Sequence, residues 1–540
     1  MLSRHPVSTQ TTNDIAFRPG QTIGIDLGTT FSSVAQLNSS GVSVPIKNHD
    51  GQVTTPSIVL LGDKGHIQVG PSADIIAQSD PRLVIQSIKR EMGSQRFSIS
   101  FQGRQLTPEF ISALILKKLK LDAERQLGPV ANAVITVPYY FNDLCRRATQ
   151  NAGQIAGLNV VDIINEPTAA TLAYAWAKGE MGKPDKVESE KTIMVYDLGG
   201  GTFDVTVVKY TSTEFRVMAT DGDVRLGGLD WTNRIVQHVA DQFVKKERYD
   251  PRQDPQHRLL FEQRCERAKR ALSTSPQAVV DLPLPGGRLL SAVMTRAEFE
   301  TITADLIQRT RDTTELVLEQ AKIDPRTLDE ILLVGGSTHM PIVPWMLRSL
   351  SGRVPSRDLN PDLAVAQGAA IHAAILEARS SGQNTSLAHP VIKRLRGIRA
   401  TDVNSHSLGV ALTDRSDPTH QINHIMIRRN TPIPTRVTQR FVTTLSNPAS
   451  ISLKLVEGEA KEIDACTTIG EFRIVGLPSN LPAGSPVELT YSYDSRGRIH
   501  AKAQELIGNN VGTLELVHAT GLTDAGLVAF ERLAEGYHVD

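Results

Sequence analysis

One strand–turn–strand unit occurs twice in this chain, and that repetition limits the fold more than any other feature. Residues 22–37 read TIGIDLGTTFSSVAQL and residues 192–210 read TIMVYDLGGGTFDVTVVKY. Each copy gives an apolar strand, then Asp-Leu-Gly, then a short turn of small residues with threonine, then a β-branched strand, which is the pattern of a β-hairpin. Glycines in such a turn let backbone amides approach an anion closely. Two matched hairpins from two similar halves can grip a phosphate chain from both sides. A single Gly-rich turn would merely close a hairpin, but two matched copies point to a shared ligand. The aspartates that end the strands, Asp26 and Asp197, repel phosphate, so they belong there only if a hydrated divalent cation lies between.

Neither a G-x-x-x-x-G-K-[ST] loop nor a convincing G-x-G-x-x-G after a strand is present, which removes the main support for P-loop and Rossmann readings. A third Gly-rich element, EILLVGGSTHMPIV, places Gly335, Gly336 and Ser337 at the end of a buried strand. Between these elements run helical patterns. In TPEFISALILKKLKLDAERQLG, Thr107 is a fitting N-cap, Pro108 the first helical residue and Gly128 the stop. Strands alternating with helices indicate an α/β architecture.

At 540 residues the chain calls for two or three domains. Basic and acidic residues balance at 58 each, so nothing points to nucleic acid or an anionic membrane as a partner. Cys145, Cys265 and Cys466 are far apart and lack metal-ligand spacing, which fits reduced thiols in a cytoplasmic protein. Residues 1–20 are polar and read as a flexible tail, and no apolar run reaches the roughly 18 residues of a membrane span. Near Arg379 the composition turns polar and then basic, which reads as a linker over 381–405. From 406 to 518 the pattern becomes period-two strands, SLGVAL, HIMIRRN, RVTQRFVTTL, SISLKLVEGE and VELTYSYDSRGRIHAKAQ, the signature of a β-sandwich. Residues 519–540 leave room for one short helix starting near Thr523.

IGIDLGTTFSSVA, VITVPYYFND, IINEPTAATLAY, VYDLGGGTFDV, LGGLDW, ERAKRALS, ILLVGGSTHMP and NPDLAVAQGAA follow one another in this order. From about Thr22 to about Asp524 the chain thereby resembles the seventy-kilodalton heat-shock chaperones of the DnaK type. The resemblance implies an actin-like ATPase domain, with its ribonuclease-H-like repeat, over 21–380. It further implies a β-sandwich peptide-binding domain, with the last short helix a remnant of the family's helical lid. Gly28, Thr29 and Thr30 of the first hairpin, and Gly199, Gly200, Gly201 and Thr202 of the second, would hold the phosphates of ATP or ADP. Asp26 and Asp197 would organise Mg2+, with K+ as a further cation. Lys89, in SIKREMG, matches the family's catalytic lysine. Glu166 and Asp204 match the acidic residues beside the attacking water, and Thr202 joins them as catalytic. Adenosine contacts fall on Glu266, Lys269, Arg270, Ser273, Gly335, Gly336 and Asp362. His339 stands where family members often carry arginine over the adenine.

In the β region the resemblance extends to RNTPIPT, LVEGE and the strand pair around Asp494-Ser495-Arg496-Gly497. It implies a cleft for extended apolar polypeptide lined by Val410, Leu412, Phe441, Ile451 and Leu453, positions that a sandwich core would equally require. Two departures bear on coupling. The aliphatic run of the family's linker is reduced to Ile398, followed by Arg399, before Asp402, and little sequence remains for a lid. Both imply open peptide binding that responds weakly to nucleotide. At Asp162 the family often has a basic residue that engages a J-domain co-chaperone, so weak stimulation by that partner is expected; a nucleotide-exchange factor is a further implied partner. The rival readings are a nucleotide-gated scaffold with little turnover and a small-molecule kinase of the same superfamily, the latter disfavoured by the C-terminal β module.

Overall fold

The computed structural model describes residues 16–540 except 63–65, 72, 74–83, 95, 183–188, 381–386, 415, 418, 495–498, 515–521 and 523. The two repeats become the centres of two sheets. In the first, the parallel strands Asn159–Asn165, Val130–Val137 and Gln21–Asp26 continue into the antiparallel pair Phe31–Leu37 and Ser43–Ile46. In the second, Glu330–Val334 runs parallel to Lys191–Leu198, which turns back antiparallel through Phe203–Tyr210 and Glu214–Asp223. The registers correspond across the repeat: Asp26 lies opposite Ser33, and Asp197 opposite Asp204.

Two alanine-rich helices, Glu166–Ala177 and Ala364–Arg379, pack between the sheets. They approach so closely that a Cβ on Gly368 would collide with the Ala169 carbonyl. The helix Pro108–Leu127 starts as its sequence predicts, with the Thr107 hydroxyl accepting from the Phe110 amide and Pro108 in the first turn, and it ends at Gly128, whose φ is 76°. Among the described residues no helix is long and apolar enough to cross a membrane.

Residues 408–514 form two four-stranded antiparallel sheets facing across one apolar cluster. Besides the strands legible in sequence, the sandwich contains Thr467–Ile474 and Val511–Leu514. Ser495, Arg496 and Gly497 of the expected strand pair lie outside the described residues, as do tail residues 1–15 and the expected helix start Thr523.

Three segments depart from expectation. The end of the N-terminal tail is fixed, because Arg18 and Asn132 exchange two hydrogen bonds of 2.8 Å and Phe17 packs on the core. The linker is not a free connection: His389–Arg396 is a helix, and Arg399–Thr401 adds a fifth strand, parallel to Glu214–Asp223, to the second sheet. Ile398 is fully buried, and Asp402 accepts from Asn165 Nδ2 at 2.5 Å and Thr168 Oγ1 at 3.3 Å. The linker is thus held by backbone pairing, one isoleucine and the Asp402 hydrogen bonds, none of which needs the missing aliphatic run. The last helix, Asp524–Gly536, packs on Pro108–Leu127 and Asp143–Ile155 of the first lobe. The strand His538–Val539 then pairs parallel with His66–Val69. The expected lid remnant is therefore part of the first lobe's core.

Candidate functional site

The two hairpins meet at the floor of a cleft of about 540 Å³ between the lobes. Along its walls stand Asp26, Gly28, Thr29, Thr30, Lys89, Glu166, Asp197, Gly199, Gly200 and Thr202, together with Glu266, Lys269, Arg270, Ser273, Gly335, Gly336 and Asp362. Gly201 and Asp204 lie just behind that surface. The glycines are required by proximity: a Cβ at Gly200 would strike Thr30, and one at Gly201 would lie 2.5 Å from Thr29 Cγ2. The hairpins touch, and only glycine permits it.

The floor gathers four carboxylates around one amine. Lys89 Nζ is 2.5 Å from Glu166 Oε1, both nearly inaccessible. Burial alone would favour the neutral amine, but the charges of Glu166 and Asp26 outweigh it and hold Lys89 above its ordinary value. Burial and then the charge of Glu166 push Asp26 up to about 7 and raise Asp197 and Asp204 well above the usual carboxylate range. Among the described residues Asp204, though buried, is offered no more than a backbone amide of Tyr139. Such excess negative charge favours a cation. Among the described residues no group of three or more His, Cys, Asp or Glu side chains can enclose a bare metal ion. The buried carboxylates of Asp26 and Asp197, beside the Gly/Thr turns, fit a hydrated cation shared with a phosphate ligand.

Further along the cleft, Glu266 accepts from Lys269 at 2.7 Å, from Arg270 at 2.9 Å and from Thr232 Oγ1 at 2.5 Å. Burial lowers Lys269, whereas its charge keeps the Glu266 carboxyl low despite burial. The Arg270 guanidinium lies 4.9 Å above the Phe31 ring, joining the lobes across the cleft. His339 is half exposed, 3.4 Å from Asp362, and hydrogen bonding to that carboxylate raises its pKa.

Sequence reasoning overlooked Phe31, Thr232 and Arg90, and placed Ser337 at a strand end without a partner. Ser337 Oγ donates to the Gly199 carbonyl at 2.8 Å, and Arg90 reaches Gly201 and Asp230. The only sequence signal for Arg90 is its position next to Lys89. Asp162 is not a free surface charge: its carboxylate is 2.8 Å from His372 Nε2, and both side chains are largely buried.

In the β module the five expected peptide contacts separate. Val410 and Leu453 are buried in the sandwich core, because their strands present them to the opposite sheet. Leu412, Phe441 and Ile451 are half-buried at the edge of that cluster, with His424 edge-on to Phe441.

Residues 22–99 and 94–538 match the family described as Hsp70 protein. The chain belongs to the Hsp70 family. Among curated relatives, Chaperone protein DnaK from each of two strains of Halobacterium salinarum is 38% identical over 522 residues, covering 95% of this chain and 78% of the relative. The Hsp70 architecture of an actin-like ATPase domain followed by a β-sandwich is the one described above, and the cleft lies where the two halves of the Hsp70 ATPase meet.

Proposed function

We propose that this chain is an ATP-hydrolysing chaperone that binds short apolar segments of unfolded proteins and couples that binding to hydrolysis. The observation that carries the reading is the convergence of two repeated Gly/Thr hairpins on one lysine–glutamate pair and three further carboxylates. Gly28 to Thr30 and Gly199 to Thr202 bind the phosphate chain through backbone amides and hydroxyls. Lys89, kept charged by Glu166 and Asp26, donates to the water that attacks the terminal phosphate. Glu166 and Asp204 accept from that water, and the Thr202 hydroxyl positions it. Asp26 and Asp197 would hold a hydrated Mg2+, which would supply charge neutralisation of the phosphates beside these carboxylates. K+ would be a further cation. Glu266, Lys269, Arg270, Ser273 and Asp362, with the Gly335–Gly336 turn, surround the adenosine.

An extended polypeptide binds along the β module, with Leu412, Phe441 and Ile451 supplying apolar contact. The cellular partners are unfolded polypeptides in the cytoplasm, a J-domain co-chaperone and a nucleotide-exchange factor; with Asp162 turned toward His372, stimulation by a generic J-domain is weak. Titration of a fluorescent apolar peptide tests the peptide site. Phe441→Asp is expected to weaken binding at least about tenfold while leaving ATP turnover in place. Unchanged peptide affinity in that variant would remove the β module from the proposed cycle.

A further inference from the structure

Lys89 and Arg90 are adjacent but face different halves of the ATPase domain. The 3-10 turn Ile88–Glu91 that carries them is entered through Ser87 in the left-handed region, φ 57°. Lys89 then meets Glu166 within the first lobe, whereas Arg90 crosses to the second. Its Nε and Nη2 donate to the Gly201 carbonyl at 3.0 and 2.7 Å, and Nη2 also donates to Asp230 Oδ2 at 2.8 Å.

The second hairpin's three glycine carbonyls are all taken from behind. Gly199 O accepts from the Gly228 amide at 2.9 Å, and Gly200 O from the Leu229 amide at 2.8 Å, both at the start of the helix Gly228–Glu247 in the same lobe. Only the Gly201 carbonyl is held by the opposite lobe. Asp230 completes the arrangement: the carboxylate that accepts from Arg90 also accepts from the Gly227 amide at 2.9 Å, which caps that helix. Gly227 is so close behind the loop that a Cβ there would lie 2.6 Å from Gly201 N. One planar fork thus fixes the loop carbonyl and the helix cap together, a geometry that a lysine ammonium cannot reproduce.

Resting on the ATPase reading above, we propose that Arg90 is a positioning residue for hydrolysis. It sets the distance between the phosphate-binding loop Gly199–Thr202 and its neighbour Lys89, so that the lysine addresses the terminal phosphate only when the two lobes are in register. Arg90 is not among the residues lining the cleft and acts on the loop through the Gly201 carbonyl. Its loss lowers the hydrolytic step while sparing nucleotide affinity, because the contacts to the loop's other two carbonyls, from the Gly228 and Leu229 amides and the Ser337 hydroxyl, remain.

The test uses the full-length protein with Arg90→Met, Arg90→Lys and, as a control, Lys89→Ala. Single-turnover hydrolysis of ATP and equilibrium ATP binding are measured for each. Arg90→Met is expected to slow hydrolysis at least about tenfold with ATP affinity within about threefold of the parent, and Arg90→Lys to recover only part of the rate. Hydrogen exchange at residues 199–203 in nucleotide-free protein gives a readout independent of turnover, expected to quicken about tenfold or more in Arg90→Met. Parental exchange and parental hydrolysis in Arg90→Met, with Lys89→Ala inactive, would overturn the inference and leave the ATPase intact. A parent without turnover would overturn the ATPase reading, and exchange would then decide the placement of the loop by itself. Equal losses of affinity and rate would overturn the inference in favour of a merely structural role.

Discussion

At the scale of single residues the cleft floor makes two predictions. Lys89→Ala removes the one cation that the described residues place within the carboxylate group and is expected to lower ATP turnover at least about tenfold, or about 1.4 kcal/mol of barrier, with ATP still bound. Rapid-quench hydrolysis beside equilibrium binding checks both halves. Asp26 carries its proton up to about pH 7 when no cation is present, chiefly because of burial and then because of Glu166. A cation must displace that proton, so Mg2+-dependent ATP binding is expected to weaken as pH falls from 8 to 6, and Asp26→Asn to weaken that binding and make the slope shallower, the remainder coming from Asp197, which is raised as well. Calorimetric titration across that range measures it. These residues were legible in sequence to different degrees. Asp26 and Asp197 announce themselves by repetition, whereas Lys89 sits in an ordinary-looking basic segment and was reached only through the family resemblance. Arg90 and Thr232 were invisible, since what matters about them is which distant backbone or side chain they touch.

At the scale of elements, the last helix and strand behave as a clasp on the first lobe. Phe530 packs on Phe110 at a ring separation of 5.0 Å, and Tyr537 is buried among Phe101, Phe110 and their neighbours. Lys117 Nζ caps the helix end by donating to the carbonyls of Ala534 and Tyr537 at 2.6 and 2.9 Å. The Asp540 amide donates to Ile67 O, and its carbonyl accepts from the Val69 amide at 2.8 Å. Tyr537→Ala is therefore expected to destabilise the first lobe by about 3 kcal/mol. Denaturant unfolding, with hydrogen exchange at Ile67 and Val69, reports it. A lid over the β module would instead leave first-lobe unfolding unchanged and alter only peptide release. The sequence disclosed this helix but not where it docks, because an amphipathic helix pattern says which face is apolar and not what covers it. The linker strand Arg399–Thr401 escaped notice for a related reason: its pairing is made by backbone atoms, to which side-chain patterns are blind.

At the scale of the whole molecule, the β module is docked on the ATPase domain through groups that titrate. Tyr139 OH donates to the Asn404 carbonyl at 2.6 Å, Arg429 Nη2 to Asp221 at 2.5 Å, and the Tyr140 and His406 rings meet edge to face. Glu457, from the β module, is buried, and its pKa is pushed up to about 8 by burial and then by Asp143 of the ATPase domain, against the opposing charge of Arg146. A carboxyl raised in the docked state stabilises docking only while protonated, so its contribution is lost as pH rises toward 8. His406, lowered by burial, acts in the opposite sense and only as pH falls below its ordinary value of about 6.5. Between pH 7 and 8, docking is expected to weaken about fivefold, and Glu457→Gln to flatten that dependence. Tryptic cleavage at Arg399 across the range reads the change. The docked linker, the shared cleft and the Hsp70 match all lead to one claim, that binding of polypeptide by the β module is felt at the Lys89–Glu166 pair. Its most direct test is steady-state ATP hydrolysis by the full-length protein with and without a saturating, permanently unfolded apolar polypeptide. Turnover is expected to rise several-fold with polypeptide in the parent and to stay flat in Lys89→Ala; a parental rate indifferent to polypeptide would contradict the claim.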